Sequence, residues 1–291
     1  MGADDQGSLH RQVLGTVQGA TSPARAAPLD SSLYRQLLET AEGARWRTSD
    51  VAWSSFRPEL TSPALCAAVR EMAFHEQATF SATQRFMQAF SDDPDFTQWV
   101  SVWFYEETRH PQALMRWAEM AGVTFDASFV ARGRVSTPFM RSRMGTLVTN
   151  VISEVTAALA YLNLARASPE PLLSGLCRRI AADEARHSAS FFTYARRRLE
   201  SAADPERERL DAVKVLHFWL NENGSVTHPV NRTMERLRGL DGIDPAVLQG
   251  LDTVRARACA AVGLLTGEPI RTPADVEPIL TALVARAHAP G

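Results

Sequence analysis

The sequence predicts an all-α protein built on a four-helix bundle, and three observations predict it. Apolar residues recur at helical spacing through four long runs between residues 62 and 202. Two of these runs carry the same pair three residues apart on one helix face, Glu107 and His110 in EETRH, Glu184 and His187 in DEARH. Each of the other two holds a single carboxylate in an apolar stripe, Glu76 and Glu154. One Glu from each of two helices, with Glu-x-x-His from each of the others, is the ligand set of a two-metal centre in a bundle core.

With 45% hydrophobic residues, a chain of 291 buries a large core with helices to spare. A net charge of −2 does not mark a nucleic-acid binder. Lys214 is the only lysine, a bias that points to genome composition more than to bidentate anion contacts. Cys66, Cys177 and Cys259 are scattered and odd in number, which fits a reducing cytosol better than a disulfide framework. The acidic start of the chain has no apolar core segment, so no secretory signal is expected. The most apolar window, TLVTNVISEVTAALAYLNLA, holds Asn150 and Glu154 near its centre. A membrane span would carry that carboxylate only at considerable cost, so the expectation is a buried bundle helix, no membrane, and a cytoplasmic protein.

Residues 1–28, rich in Ala, Gly and Ser without periodicity, read as a flexible arm. Leu33, Leu37 and Leu38 predict a short helix over 29–41, followed to residue 61 by an irregular segment anchored by Trp46, Trp53 and Phe56. Ser62-Pro63 starts a helix, the hydroxyl as N-cap and proline at the first position. That helix is expected to run unbroken to about residue 90, with Val69, Met72, Glu76, Phe80 and Met87 on one stripe. Glu71 is rotated off this face, and His75 reads as a packed or surface side chain. The second helix spans about 96–120 and ends at Gly122. Pro111 within it cannot donate to the Glu107 carbonyl, which predicts a kink or π-type irregularity at the ligand pair. Ser136-Thr137-Pro138 starts a third helix over 138–167, and the fourth covers 171–202. The bundle with its N-terminal helix thus occupies 29–203. From 204 to 291 the pattern stays helical without ligands, over about 205–223, 228–239, 245–264 and 273–287. This extension is expected to pack on the bundle, close one end of a pocket or enter a subunit interface. His217, His228 and His288 read as structural.

The two halves of the bundle correspond. Lone and paired Glu are 31 residues apart in the first and 30 in the second, and both pairs follow the pattern acid-acid-x-Arg-His. Two helix hairpins facing each other across an approximate two-fold axis explain this. Carboxylates with neutral imidazoles suit iron or manganese, and the absence of thiolate argues against zinc or an iron–sulfur cluster. Four negative charges balance two divalent cations; a site left empty would bury unpaired carboxylates. Glu76, Glu107 and His110 are assigned to one ion and Glu154, Glu184 and His187 to the other, with Glu107 and Glu184 bridging. Asp183 and Glu106 each precede a ligand and can reach across to orient the opposite imidazole, with Arg109 and Arg186 keeping them ionised. The alternative for these four is a charged helix surface. Phe80, Trp103, Phe104, Tyr161 and Phe191 lie one turn from ligands, as cavity wall or as ordinary core.

At IAADEARH and EETRH the sequence resembles the soluble acyl-[acyl-carrier-protein] desaturases. These are ferritin-like di-iron enzymes that introduce a double bond into a carrier-bound acyl chain, using O2 and two electrons from ferredoxin. The resemblance spans about residues 62–200 and is densest around Glu184. It implies a ferritin-like four-helix bundle with additional helices N-terminal and C-terminal to it, and two iron ions on Glu76, Glu107, His110, Glu154, Glu184 and His187. Glu107, Glu184 and Asp183 then take part in catalysis, O2 is the co-substrate, and a ferredoxin-type protein is the electron donor. An acyl- or aminoacyl-carrier protein is the expected partner, and a homodimer the expected assembly. Docking an acidic carrier calls for a basic surface, for which Arg132, Arg134, Arg141, Arg143 and the run Arg196-Arg197-Arg198 are candidates.

One departure from the family pattern bears on the reaction. The desaturases place a threonine three residues after the third-helix ligand, where this chain has Ala157; the related hydroxylases place it four after, where it has Ala158. Thr156, on another face, is the remaining hydroxyl candidate. The departure leaves oxygen activation in place and makes a monooxygenase, hydroxylating carbon or oxygenating nitrogen of a biosynthetic intermediate, the alternative to desaturation. Leu114 stands where ribonucleotide reductase small subunits carry a radical tyrosine, and Ile180 where arylamine N-oxygenases add a third histidine. A ferroxidase would form a large hollow assembly, and a purely structural bundle would bind less than one metal per chain.

Overall fold

The computed structural model describes residues 32–134, 142–221 and 228–287, and all regular structure within them is helical. In chain order the α-helices are α1 (Leu33–Ala44), α2 (Pro63–Glu76), α3 (Thr79–Ala89), α4 (Pro94–Glu107), α5 (Arg109–Met120) and α6 (Ala127–Gly133). They continue with α7 (Arg143–Ala167), α8 (Pro171–Glu200), α9 (Pro205–Leu220), α10 (Pro229–Arg238), α11 (Leu251–Thr266) and α12 (Val276–Ala287). The predicted arm, the helix start at Ser136-Thr137-Pro138, Arg141 and His288 lie outside the described residues.

Capping side chains and prolines set the helix starts. Ser62 accepts from Leu65 N ahead of Pro63, Asp93 from Phe96 N ahead of Pro94, and Asp204 from Arg207 N ahead of Pro205. Glu170 caps α8 by accepting from Leu172 N and Leu173 N. The same fully buried carboxylate also receives Trp117 Nε1 at 2.7 Å and Arg57 N at 3.3 Å, so its charge is satisfied by four donors.

Two of the expected helices are interrupted, each directly after a candidate ligand glutamate. The helix predicted to run unbroken to residue 90 stops at Glu76 and restarts at Thr79. Gln77 causes this: its side-chain Nε2 takes the Ala73 carbonyl at 3.2 Å, the normal partner of its own backbone N–H, which turns to Phe74 O at 3.3 Å. The Thr79 hydroxyl donates to the Glu76 carbonyl and completes the substitution. The irregularity expected from Pro111 falls at Thr108, between α4 and α5. Farther on, Gly250 in the left-handed region (φ 87°) divides the helix expected over 245–264 into a 3-10 turn, Pro245–Leu248, and α11.

The bundle core consists of two apolar halves separated by a polar layer. One half holds Phe86, Trp99, Trp103, Leu147, Val151, Phe191 and Tyr194; the other holds Val69, Met72, Leu114, Trp117, Tyr161, Leu164, Leu173 and Ile180. Each bundle run passes from one half to the other at its carboxylate: α2/α3 at Glu76, α4/α5 at Glu107, α7 at Glu154 and α8 at Glu184. Helix α7 is long and apolar enough to cross a membrane, yet 83% of its most apolar window is buried inside the protein. Its ends pack on the 3-10 turn and on α9 and α11, while α10 packs on α2 and α12 on α9. At the other edge, Asp95 ties α1 and α8 to α4, accepting from Ser32 Oγ (2.6 Å), Tyr194 OH (2.9 Å) and Arg197 Nη1 (2.7 Å).

Candidate metal centre

Glu76, Glu107, His110, Glu154, Glu184 and His187 meet in the polar layer, each between 0 and 7% exposed. Ligand atoms of Glu76, Glu107, His110 and Glu184 lie within 4.8 Å of one another, as do those of Glu107, Glu154, Glu184 and His187. Glu107 and Glu184 belong to both groups. The imidazoles are roughly parallel, with centroids 6.0 Å apart.

Both rings turn Nδ1 inward. His110 Nδ1 is 3.2 Å from Glu184 Oε1, 3.7 Å from Glu76 Oε2 and 3.8 Å from Glu107 Oε2. His187 Nδ1 is 2.8 Å from Glu107 Oε1 and 3.4 Å from Glu184 Oε2. The outward nitrogens donate to carboxylates of the opposite hairpin, His110 Nε2 to Asp183 Oδ2 (3.2 Å) and His187 Nε2 to Glu106 Oε2 (3.0 Å). An imidazole that donates through Nε2 keeps its Nδ1 lone pair for a cation. Despite their close neighbours, Glu107 Oε1 and His110 Nδ1 make no aligned hydrogen bond. These two unsatisfied atoms sit among the other oxygen and nitrogen ligand atoms of the cluster, and the donor set fits a pair of divalent cations.

A ring of charge surrounds the imidazoles. Arg186 Nη2 donates to both Glu106 Oε1 (2.8 Å) and Asp183 Oδ1 (2.9 Å). Arg109 Nη2 lies 3.3 Å from Glu106 and 3.6 Å from Asp183, and its Nη1 donates to Trp46 O at 2.7 Å. Trp46, read from sequence only as an anchor, donates Nε1 to Asp183 Oδ2 at 2.8 Å. Burial opposes the charge on Asp183, but the hydrogen bond and charge of His110 carry its carboxyl down to about 2. Glu106 is lowered in the same way, by His187 and Arg186.

The inner carboxylates divide. Burial, reinforced by the charge of Glu184, pushes Glu107 up to about 8 and raises Glu154 strongly. Glu184 resists the same burial and stays well below the carboxylate range because both imidazoles face it. Burial works against protonating His110 and His187, yet their carboxylate neighbours hold both above the ordinary imidazole value. In the metal-free chain these raised groups keep protons that the unfolded chain releases at lower pH. The stability contributed by Glu107 is full below its unfolded value of 4.5 and is lost as pH rises through about 8. Cations displace the same protons, so affinity rises where metal-free stability falls. The Tm difference between Mn(II)-loaded and metal-free protein is expected to widen from about pH 6 to about pH 8. Differential scanning calorimetry checks this, and a gap that narrows with pH contradicts it.

Several expected wall residues do other work. Tyr161 donates its hydroxyl to Glu76 Oε1. Phe191 is fully buried, edge-on to Trp99 at 4.7 Å. The Thr156 hydroxyl is spent on Ile152 O at 2.8 Å, and Thr156 lines neither cavity at the cluster, because two residues along a helix turn it away from the Glu154 face. Tyr161→Phe is expected to weaken metal affinity about tenfold, since partners that orient ligands contribute about 10–100-fold. Chelator competition measures it.

Two cavities touch the cluster. One, about 60 Å³, is lined by Glu76, Trp103, Glu107, Asn150, Ser153, Glu154, Ala157 and Glu184, and by His75, His228 and Pro229. His228 accepts from Val230 N as the cap of α10, so the C-terminal extension supplies part of this wall. His75 was read from its spacing as a packed or surface side chain; adjacency to Glu76 was the available signal. The second cavity, about 90 Å³, includes Phe80, Phe104, Pro111 and Arg134. Comparison with curated proteins finds no match. A family model described as "Fatty acid desaturase" matches residues 53–218, from the segment before α2 almost to the end of α9.

Proposed function

The chain belongs to the fatty acid desaturase family, a ferritin-like di-iron family, and on that premise we propose that it is an O2-dependent oxidoreductase that oxidises a C–H bond of an organic substrate. The observation that carries this reading is the membership of Glu107 and Glu184 in both ligand groups. Two iron ions held by the six side chains, with electrons from a ferredoxin-type donor, would supply the power to reduce O2 and oxidise carbon. The protein's own contribution is positional. Asp183 and Glu106 fix the imidazole orientation, Arg109 and Arg186 keep those carboxylates ionised, and Tyr161 holds Glu76. Trp103 and Ala157 shape the wall beside the ligands and limit water there.

Desaturation of a fatty acyl chain is the reading that the family supports, and a carrier-bound form of it rests on the resemblance at EETRH and IAADEARH. A second reading, hydroxylation or N-oxygenation of a compact intermediate, is favoured by the cavity. It has room for a few waters rather than a long chain, and Asn150, Ser153, His75 and His228 add polar groups to a wall that is otherwise largely apolar. Carrier docking also loses candidates: Arg143 is paired with Asp92, Arg197 with Asp93 and Asp95, and Arg198 with Glu208.

Anaerobic loading with Fe(II), followed by O2-uptake measurements with acyl-carrier and small-molecule substrates, tests both readings. The expected result is about two irons per chain and uptake that depends on substrate. Less than one iron per chain, or substrate-independent uptake by a large hollow assembly, would overturn the oxidase reading.

A further inference from the structure

Most polar side chains in the wall of the 60 Å³ cavity spend their hydrogen bonds on the chain itself. Asn150 Nδ2 donates to Thr146 O at 2.7 Å, Ser153 Oγ to Asn150 O at 3.2 Å, and the Thr79 hydroxyl to Glu76 O. His228 Nδ1 accepts from Val230 N at 3.3 Å. Among the described residues of this wall, Glu107 Oε1, His75 Nδ1 and Trp103 Nε1 are sealed from solvent without a hydrogen-bond partner. Glu107 belongs to the metal cluster, whereas His75 and Trp103 do not.

Trp103 stands one turn before Glu107 on α4 and is 3% exposed. Phe86 and Phe191 pack on its indole, with centroids 5.4 and 5.6 Å away, and offer it no oxygen or nitrogen. His187 lies edge-on at 6.4 Å, its Nε2 given to Glu106 and its Nδ1 turned to Glu107. An indole N–H can only donate, and a buried donor without an acceptor is costly. The cavity is the side from which an acceptor can come. The wall also limits the charge of that acceptor. No lysine or arginine is among its described residues, and burial pushes the His228 imidazole down to about 3, so it stays neutral. An anion would face Glu107, Glu154 and Glu184 with no guanidinium or ammonium to offset them, and a cation would compete with the metal ions for the same carboxylates.

Building on the oxidase reading, we propose that this inner cavity takes an uncharged, carbonyl-bearing end of the substrate, a ketone or an amide, whose oxygen accepts from Trp103 Nε1 with His75 Nδ1 as its second polar neighbour. Trp103 then selects which carbon faces the cluster. It is one close to the carbonyl, because the indole and Glu107 leave α4 a single turn apart. The rest of a longer molecule extends past His75, Ala78 and Pro229, which the inner cavity shares with an outer one of about 120 Å³ between α2 and α10. The middle of a saturated acyl chain, by contrast, leaves the indole N–H unpaired.

Proton–nitrogen correlation NMR of the full-length protein reads the indole N–H directly, with the Trp103 peak assigned by through-bond connectivity. The protein is titrated metal-free and loaded with Zn(II) as a diamagnetic stand-in. The probes are cyclopentanone, cyclopentene as a hydrocarbon of similar shape, and cyclopentanecarboxylate as the anion. Cyclopentanone is expected to move the Trp103 N–H peak downfield and to bind at least ~10-fold more tightly than cyclopentene, the equivalent of ~1.4 kcal/mol. Trp103→Phe should abolish that preference while binding metal in the parent ratio, and His75→Leu should reduce it in part. Should Trp103→Phe fail to fold, the peak shift in the parent protein still decides. Equal affinity for ketone and hydrocarbon overturns the proposal, as does an indole peak that the ketone leaves unmoved. Tighter binding of the carboxylate than of the ketone to metal-free protein also overturns it, because the site then selects charge. Ketone binding intact in a chain that takes up less than one iron would sink the oxidase reading alone, so the two fail separately.

Discussion

Glu184→Ala is expected to reduce bound iron from about two per chain to less than one. Its carboxylate belongs to both ligand groups and is held well below the carboxylate range by the imidazoles it faces, His110 Nδ1 at 3.2 Å and His187 Nδ1 at 3.4 Å. Removing one partner from a buried charge cluster costs about 3–5 kcal/mol, which corresponds to roughly two to four decades in affinity. Elemental analysis after Fe(II) loading and gel filtration gives the stoichiometry. Glu154→Gln separates metal binding from folding, because burial and the charge of Glu184 raise the Glu154 carboxyl strongly and already disfavour its charged form in the metal-free chain. That variant should melt within a few degrees of the metal-free parent and lose the rise in Tm produced by metal. Retention of both irons at parental affinity in Glu184→Ala would remove the bridging assignment.

Asp183→Ala is expected to be the most destabilising change around the centre. The carboxylate is 1% exposed and receives Trp46 Nε1, His110 Nε2 and Arg186 Nη2, with Arg109 3.6 Å away. Alanine strands those donors and leaves both guanidinium groups to share Glu106. The cost is about 3–5 kcal/mol, or a fall in Tm of roughly 6–20 °C. The histidine whose orientation depends on Asp183 should also lose metal affinity by about 10–100-fold. Thermal melts with and without metal separate the two effects. Asp183→Asn, which keeps the shape and one acceptor, should recover part of the stability. An unaltered Tm in Asp183→Ala would show that the ring of charge is ornamental.

How much of this was legible in the chain depends on the distance over which each feature is encoded. Ser62-Pro63, Asp93-Pro94 and Asp204-Pro205 start helices through contacts within one turn, and the helices begin where those pairs stand. Glu107 with His110 and Glu184 with His187 are likewise local, because three residues of helix place two side chains on one face. The interruption after Glu76 was missed although its cause is local too. Glutamine in a helix rarely competes for its own carbonyl, and only the packed environment shows that Gln77 does. The orientation of Thr156 is likewise shown only by the folded chain, where its hydroxyl donates to Ile152 O within its own helix.

The amino-acid order by itself determined the helical class, the polar layer within an apolar bundle and the residue types able to bind a metal pair. All of these follow from periodicity and side-chain chemistry within a few turns. Packing alone decided which groups meet across the bundle. Trp46 reaches Asp183 over 137 residues and Tyr161 reaches Glu76 over 85. It also brought His75 beside Arg232 at a cavity mouth formed by helices far apart in the chain. Such pairings depend on the angle and depth at which helices dock, quantities set by the whole core and carried by no short stretch of sequence.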